Sequence, residues 1–269
     1  MAEKLTEFVG DIPGHYDNGL GPYIFVDYAA DIARRAAVLK PRHVLELAAG
    51  TGIVSKALKD QLDSDTHLVV TDLNGPMLEI ARSKIGDRAN TEFAVADAMQ
   101  LDFADDRFDL IVCQFGVMFF PDKQASMKEA RRVLRPGGSY LFNTWGALED
   151  NPFAAIMIDI THKIFTNDPP VFYKIPFSYP GPDEVCQDLL QSGFQQVDHE
   201  IIDLDKIVDS WRRFAKGLVF GNPSITELEE RGTMDAEDVL ILVEEELRTR
   251  FGPEPSSMPL KATVFHALK

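Results

Sequence analysis

Short apolar runs that close on a polar or small residue alternate along this chain with stretches whose apolar residues recur every three or four positions. Such alternation reads as β-strands separated by helices, and so as an α/β protein with a largely parallel sheet. Val44-Leu45-Glu46-Leu47-Ala48-Ala49 ends in Gly50-Thr51-Gly52. Val69-Val70-Thr71 ends in Asp72, Phe93-Ala94-Val95-Ala96 in Asp97, and Phe108-Asp109-Leu110-Ile111-Val112-Cys113 in Gln114-Phe115-Gly116. Between them, Ile24, Tyr28, Ile32 and Ala36 predict a helix over 23–39 that Pro41 stops, and Ile53, Val54, Ala57, Leu58 and Leu62 predict the next. Asn74-Gly75-Pro76 starts a third, with Pro76 suited to its first position and Met77, Leu78, Ile80 and Ala81 facing inward. A helix capped by Asp122 runs to Leu134, Gly137-Gly138 ends it, and 139–144 is a fifth strand.

Four successive strand ends thus carry polar or small residues, which is more than helix capping requires. In a doubly wound sheet these ends line one crevice. Gly50 and Gly52 have no Cβ, so the turn can take backbone angles closed to other residues and a ligand can approach the main chain. Asp72 follows Gly50 by twenty-two residues, where an acid can accept hydrogen bonds from both hydroxyls of a ribose. A nicotinamide-binding fold would need G-x-G-x-x-G, and Ser55 stands where the third glycine belongs.

Glu46-x-Ala48-x-Gly50-x-Gly52, Asp72, Asp97-Ala98 and Leu134-Arg135-Pro136-Gly137-Gly138 resemble motifs I, post-I, II and III of the class I S-adenosylmethionine-dependent methyltransferases. The similarity is greatest to the branch of the ubiquinone/menaquinone-biosynthesis enzymes and covers about residues 14–146. Ala48 departs from the pattern, where many members have glycine. The resemblance implies a Rossmann-like, doubly wound seven-stranded sheet with helices on both faces, its last strand antiparallel between strands five and six, and an inserted lid. It further implies that S-adenosylmethionine is the cofactor, with Tyr16, Glu46, Ala48, Gly50, Gly52, Asp72, Leu73, Asp97, Ala98, Met99, Gln114 and Phe115 around it. Main-chain atoms near Ala48 and Gly50 would hold the methionine part, and Glu46 would orient or compensate its ammonium. Leu73 and Met99 would cover the two faces of adenine, Asp97 would accept from its amino group, and Gln114 and Phe115 would floor the active site. The acceptor is expected to be a small molecule methylated at O, C or N without a metal. A general base, if one is used, is His15 or Tyr16. The Asn/Asp-Pro-Pro-Tyr/Phe signature of amino-methylating nucleic-acid enzymes is absent.

Beyond residue 146 the resemblance fades. A helical pattern covers 151–165, and the proline-rich passage around Phe172, Tyr173, Phe177 and Tyr179 reads either as a roof over the acceptor or as a loop packed on its own domain. A helix over 185–191 leads to a sixth strand at 195–202, further helices fill 205–252, and 260–268 supplies a seventh strand. Glu244-Glu245-Glu246 reads as a solvated face. The chain is expected to be one methyltransferase domain over 1–269. Its core is 41–146 with 195–204 and 259–269, its N-terminal cover 1–40, and its lid 147–194 with 205–258. Residues 1–22 are mixed and glycine-rich, and read either as a segment that folds over the cofactor, as the resemblance implies, or as an ordinary surface loop.

Charge narrows the partners. Among 269 residues, 27 are basic and 43 acidic, a formal charge of −16 that repels phosphate backbones and anionic membranes. Arg131, Arg132 and Arg135 sit at a helix end, where a structural role suits them better than phosphate binding. The two cysteines, Cys113 and Cys186, lie far apart, as in a reducing compartment. Met1-Ala2-Glu3-Lys4-Leu5 lacks a signal-peptide core, and no apolar stretch approaches the ~20 residues of a membrane span. The expectation is a cytoplasmic enzyme that binds neither nucleic acid nor membranes, of open oligomeric state. A binding protein without catalysis and a protein methyltransferase are the alternatives.

Overall fold

The structure, a computed structural model, describes residues 7–86, 88–232 and 234–269. The expectation for the first five residues lies outside them. Seven strands form one sheet in the order β3-β2-β1-β4-β5-β7-β6. They are β1 (His43–Glu46), β2 (His67–Asp72), β3 (Thr91–Val95), β4 (Phe108–Gln114), β5 (Leu134–Trp145), β6 (Gln196–Val208) and β7 (Ser256–Leu268). β1 pairs in parallel with β2 and β4, β2 with β3, and β4 with β5. β7 runs antiparallel to β5: the Lys269 amide donates to Gly138 at one end and the Gly146 amide to Lys261 at the other. The seventh strand therefore enters between the fifth and sixth, as the resemblance implies.

The chain divides into two compact units. One comprises 26–144, 179–202 and 262–269. Its helices are α2 (Val26–Val38), α3 (Ile53–Gln61), α4 (Gly75–Ile85), α5 (Lys123–Val133) and α7 (Pro182–Gln191). Ile32, Ala36, Val54, Leu58 and Leu78 of the first three close over Val44, Leu68, Val70, Leu110 and Val112 of the sheet. Leu45, Val69, Ile111 and Phe142, one residue out of phase, point to the opposite face and are equally buried. Asp122 caps α5 by accepting the Ala125 amide at 2.8 Å. Arg132, in its last turn, donates to the carbonyls of Leu101 and Phe103 and pairs with Asp105 and Glu129. Arg135 pairs with Asp109. Arg131 donates to the Gly193 carbonyl at 2.7 Å, so all three arginines are spent on the fold.

The other unit comprises 1–25, 145–178 and 203–261. It holds α1 (Ile12–His15), a π-helix over Tyr16–Phe25, α6 (Pro152–Ile164), α8 (Trp211–Phe220), α9 (Ser224–Arg231) and α10 (Ala236–Phe251). Phe214 meets Tyr23 and Phe153 edge to face, and Trp145 stacks with Phe177. The Glu227 carboxylate accepts the amides of Val171 and Phe172. The Tyr173 hydroxyl donates to the Leu218 carbonyl at 2.6 Å.

Several sequence expectations are corrected. Residues 12–22 are helical, because Gly19 packs on Gly217 so closely that a Cβ would lie 2.5 Å from its Cα. Pairing with α8 overrides the helix-breaking composition. The helix expected over 23–39 is accordingly two, changing from π to α at Val26. Gly137-Gly138 does not stop a helix: α5 ends at Val133, and Gly137, at φ +78°, lies in β5 beside a bulge where the register with β4 shifts. Phe172, Tyr173 and Phe177 are buried in the second unit, and Tyr179 is buried in the unit that holds most of the sheet. Glu244 is not merely solvated; it pairs with Arg212 and Arg248.

Candidate active site

The carboxyl ends of β1, β2, β3 and β4 fall at one edge of the sheet, because their parallel register aligns Glu46 with Val70 and Val112, and Asp72 with Val95. The strand order reverses between β1 and β4, the place where open α/β sheets leave a crevice for ligands.

The turn after β1 is held from within. Ala48, Gly50 and Gly52 have φ of +50°, +55° and +77°. For alanine this left-handed conformation costs about 1–2 kcal/mol. The amide of Leu47 donates to the Val112 carbonyl, that of Ala49 to Thr71, that of Gly52 to Ala49, and that of Gly50 to the Asp72 carboxylate at 2.8 Å. A Cβ on Gly52 would lie 2.7 Å from the Cβ of Ala81, so this glycine is required by helix packing as well as by φ. The Thr71 hydroxyl donates to the Glu46 carbonyl at 2.6 Å, tying the two strand ends together.

Asp72 does more than sequence reasoning assigned it. Its second oxygen accepts the Asn74 amide at 2.8 Å, so one carboxylate anchors both the glycine turn and the turn into α4. Burial raises its pKa, and the amides of Asn74 and Gly50 oppose that shift. Each carboxylate oxygen has two lone pairs, which leaves capacity for a ligand's hydroxyls.

Glu46 is 1% exposed, and its Oε2 has no hydrogen-bond partner among the described residues. Its pKa is pushed up to about 8, first by burial and then by the charge of Asp72, while Ser55 pulls it down. A buried carboxyl with an orphaned oxygen is costly unless a ligand completes it.

Leu73, directly after Asp72, is 55% exposed, an apolar side chain turned to solvent beside the acid. Ala98 is buried and Met99 half-buried. A strand-end acid left buried and unpaired would be costly. Asp97 is not in that position: it is half-buried and accepts the Met99 amide at 2.8 Å. Gln114 ends β4 half-buried, and Phe115 is buried at φ +51°. Sequence reasoning passed over Asn143, whose side-chain oxygen accepts the Phe115 amide at 2.9 Å. Its signal was a polar residue inside the apolar run Leu141-Phe142-Asn143-Thr144-Trp145.

His15 and Tyr16 lie in the unit that does not contain the glycine turn. Tyr16 stacks on Phe25 at 4.9 Å and meets Phe8 edge to face. Burial and then Lys216 lower the pKa of His15, against Asp11 and Glu237.

Comparison with known proteins identifies the family and the fold. The ubiE/COQ5 methyltransferase family matches residues 24–157. The ubiquinone/menaquinone biosynthesis C-methyltransferase UbiE of Shewanella oneidensis is 29% identical over an alignment covering 58% of this chain and 67% of its own. Among solved structures, YcgJ of Bacillus subtilis superposes with a TM-score of 0.58 at 19% identity, covering 90% of this chain and 98% of its own. A phosphoethanolamine N-methyltransferase of Haemonchus contortus, solved with S-adenosylhomocysteine, superposes with a TM-score of 0.62 at 16% identity, covering 96% of this chain and 56% of its own. The chain belongs to the class I S-adenosylmethionine-dependent methyltransferases and resembles their ubiE/COQ5 branch. It is an enzyme, a methyltransferase with S-adenosylmethionine as its cofactor.

Proposed function

We propose that the crevice at the carboxyl ends of β1 to β4 holds the cofactor, with the roles divided among the residues described above. Glu46 carries the reading: a buried acid with an unfilled oxygen suits an arriving ammonium, which would draw it into its ionised form. The amides of Leu47, Ala49, Gly50 and Gly52 are engaged, and an ammonium needs acceptors, so the carbonyls around Ala48 and Gly50 are the main-chain groups suited to it. Asp72 receives the ribose hydroxyls on the lone pairs that Gly50 and Asn74 leave. Leu73 and Met99 cover the adenine, Asp97 accepts from its amino group, and Ala98 lets the ring approach. Gln114 and Phe115 line the side where methyl transfer takes place, with Gly52 holding α3 against α4 behind the turn.

Bound there, S-adenosylmethionine supplies a sulfonium-activated methyl group, so the protein's work is chiefly to hold the acceptor's nucleophile in line. Where the nucleophile must lose a proton, His15 is the base. Its lowered pKa keeps the imidazole neutral and ready to accept one near pH 7. We assign the reaction to the cytoplasm, away from nucleic acid and membrane surfaces. The charge of −16 supports this, and no helix among the described residues is long and apolar enough to cross a membrane.

Incubation with methyl-labelled cofactor and a panel of phenolic, quinol, amine and carbon-acid acceptors tests the reading. Label should pass to at least one acceptor with release of S-adenosylhomocysteine. Retention of the cofactor without release would mean binding alone.

A further inference from the structure

Two residues other than glycine hold left-handed backbone at the crevice, Ala48 after β1 and Phe115 after β4. For a buried aromatic such a conformation costs about 1–3 kcal/mol and persists only where its surroundings enforce it. The enforcement is visible. In the parallel register Gln114 pairs with Asn143, and the next amide, that of Phe115, donates to Asn143 twice: to the side-chain oxygen at 2.9 Å and to the main-chain oxygen at 3.2 Å. Asn143 is 2% exposed, in the interior of β5, so its side-chain amide is shielded from bulk water and its bond to Phe115 is made in a low-dielectric setting. The Phe115 ring is braced edge to face on Tyr28, centroids 5.3 Å apart. The next residue, Gly116, lies against Ala48: a Cβ there would stand 2.6 Å from the Ala48 Cβ and 2.7 Å from Cys113 Sγ. The path from Asn143 therefore runs through Phe115 and Gly116 to the turn after β1.

We propose that Asn143 is a positioning residue for the methyl transfer: by clamping the Phe115 amide it seats the turn after β4 against Ala48 and so sets the width of the cofactor crevice. This rests on the placement of the cofactor proposed above. Asn143 acts through Phe115 and Gly116 and touches neither cofactor nor acceptor. Without the clamp, Phe115 relaxes to a negative φ, the Gly116 main chain rotates, and the crevice loses its fixed wall.

A double-mutant cycle read by calorimetry with S-adenosylhomocysteine tests this. Asn143→Ala should weaken binding about tenfold. Asn143→Asp, which keeps an oxygen at the acceptor position, should stay within about threefold of the parent. In a Phe115→Gly background, where left-handed backbone needs no enforcement, Asn143→Ala should change affinity by less than about twofold. A merely structural Asn143 would lower Tm equally in both backgrounds and leave affinity unchanged, and that result overturns the proposal. Equal losses for Asn143→Ala and Asn143→Asp overturn it too. If Asn143→Ala does not fold, Asn143→Ser takes its place with the same expectations. Asp72→Ala serves as the control: unchanged affinity there means the cofactor itself is misplaced, whereas a loss there with none at Asn143 refutes only the clamp.

Discussion

The Asp72 carboxylate accepts the Gly50 amide across 2.8 Å, so the acid after β2 and the glycine turn after β1 form one unit before any ligand arrives. The same carboxylate also accepts the Asn74 amide. Asp72→Ala therefore removes two anchors together with the proposed ribose contact. We expect S-adenosylhomocysteine affinity to fall at least about tenfold and stability to drop by about 1–3 kcal/mol, since two amides lose charge-assisted partners. Calorimetry and urea unfolding read the two effects separately. A loss of affinity at unchanged stability would show that the turn does not need the acid.

Glu46 makes stability and binding respond to pH in opposite directions. Its carboxyl titrates at about 8 in the folded protein against an ordinary value of 4.5, and burial raises Asp72 in the same sense. Between those values the folded state holds a proton that the unfolded state has released, so stability falls as pH rises through the window. The contribution is fully present below the unfolded value and gone above the folded one. An ammonium at Glu46 favours the ionised form, so cofactor affinity should rise from pH 6 to pH 8 with release of protons. Titrations in buffers of different ionisation enthalpy measure that release, and Glu46→Gln should abolish it.

Ala48 and Gly116 share one space. Gly116→Ala places a methyl 2.6 Å from the Ala48 Cβ, an overpacking that should cost about 1–3 kcal/mol. Adding Ala48→Gly removes one of the two clashing groups and relieves left-handed strain at residue 48, φ +50°. The double variant should recover part of the lost Tm. A double variant less stable than Gly116→Ala alone would mean that Ala48 packs favourably enough to outweigh both.

The assignment of His15 as base has its own signature. His15→Gln should lower kcat for acceptors that must lose a proton and leave S-adenosylhomocysteine affinity within about twofold, because the residue is placed on the acceptor's chemistry. In the parent, activity should fall on the acid side as the imidazole protonates, below its ordinary value of 6.5 because burial lowers it. A variant with the parent's pH profile removes His15 from the mechanism.

The sheet core was legible because its evidence is local. The runs at 44–49, 69–72, 93–96 and 108–113 are short, apolar and closed by polar residues, and the strands fall within a few residues of them. What the sequence hid was decided by contacts distant along the chain. Nothing near Gly19 announces that Gly217 will pack on it and carry a glycine-rich segment into a helix. The pair Gly137-Gly138 has the chemistry of a helix stop, yet β4 captures that stretch as a bulged strand. At the site, the residue types of Glu46 and Asp72 pointed to the crevice, but their partners did not show. The anchor from Asp72 to Gly50 and the clamp from Asn143 to Phe115 each join residues at least twenty-two positions apart.

The most direct test of the account is a crystal structure of the protein with S-adenosylhomocysteine. The ribose should lie on Asp72, the adenine should pass between Leu73 and Met99, and the ammonium should reach Glu46 Oε2 at the turn after β1. Nucleoside density elsewhere, or Glu46 still without a partner in the complex, would contradict it.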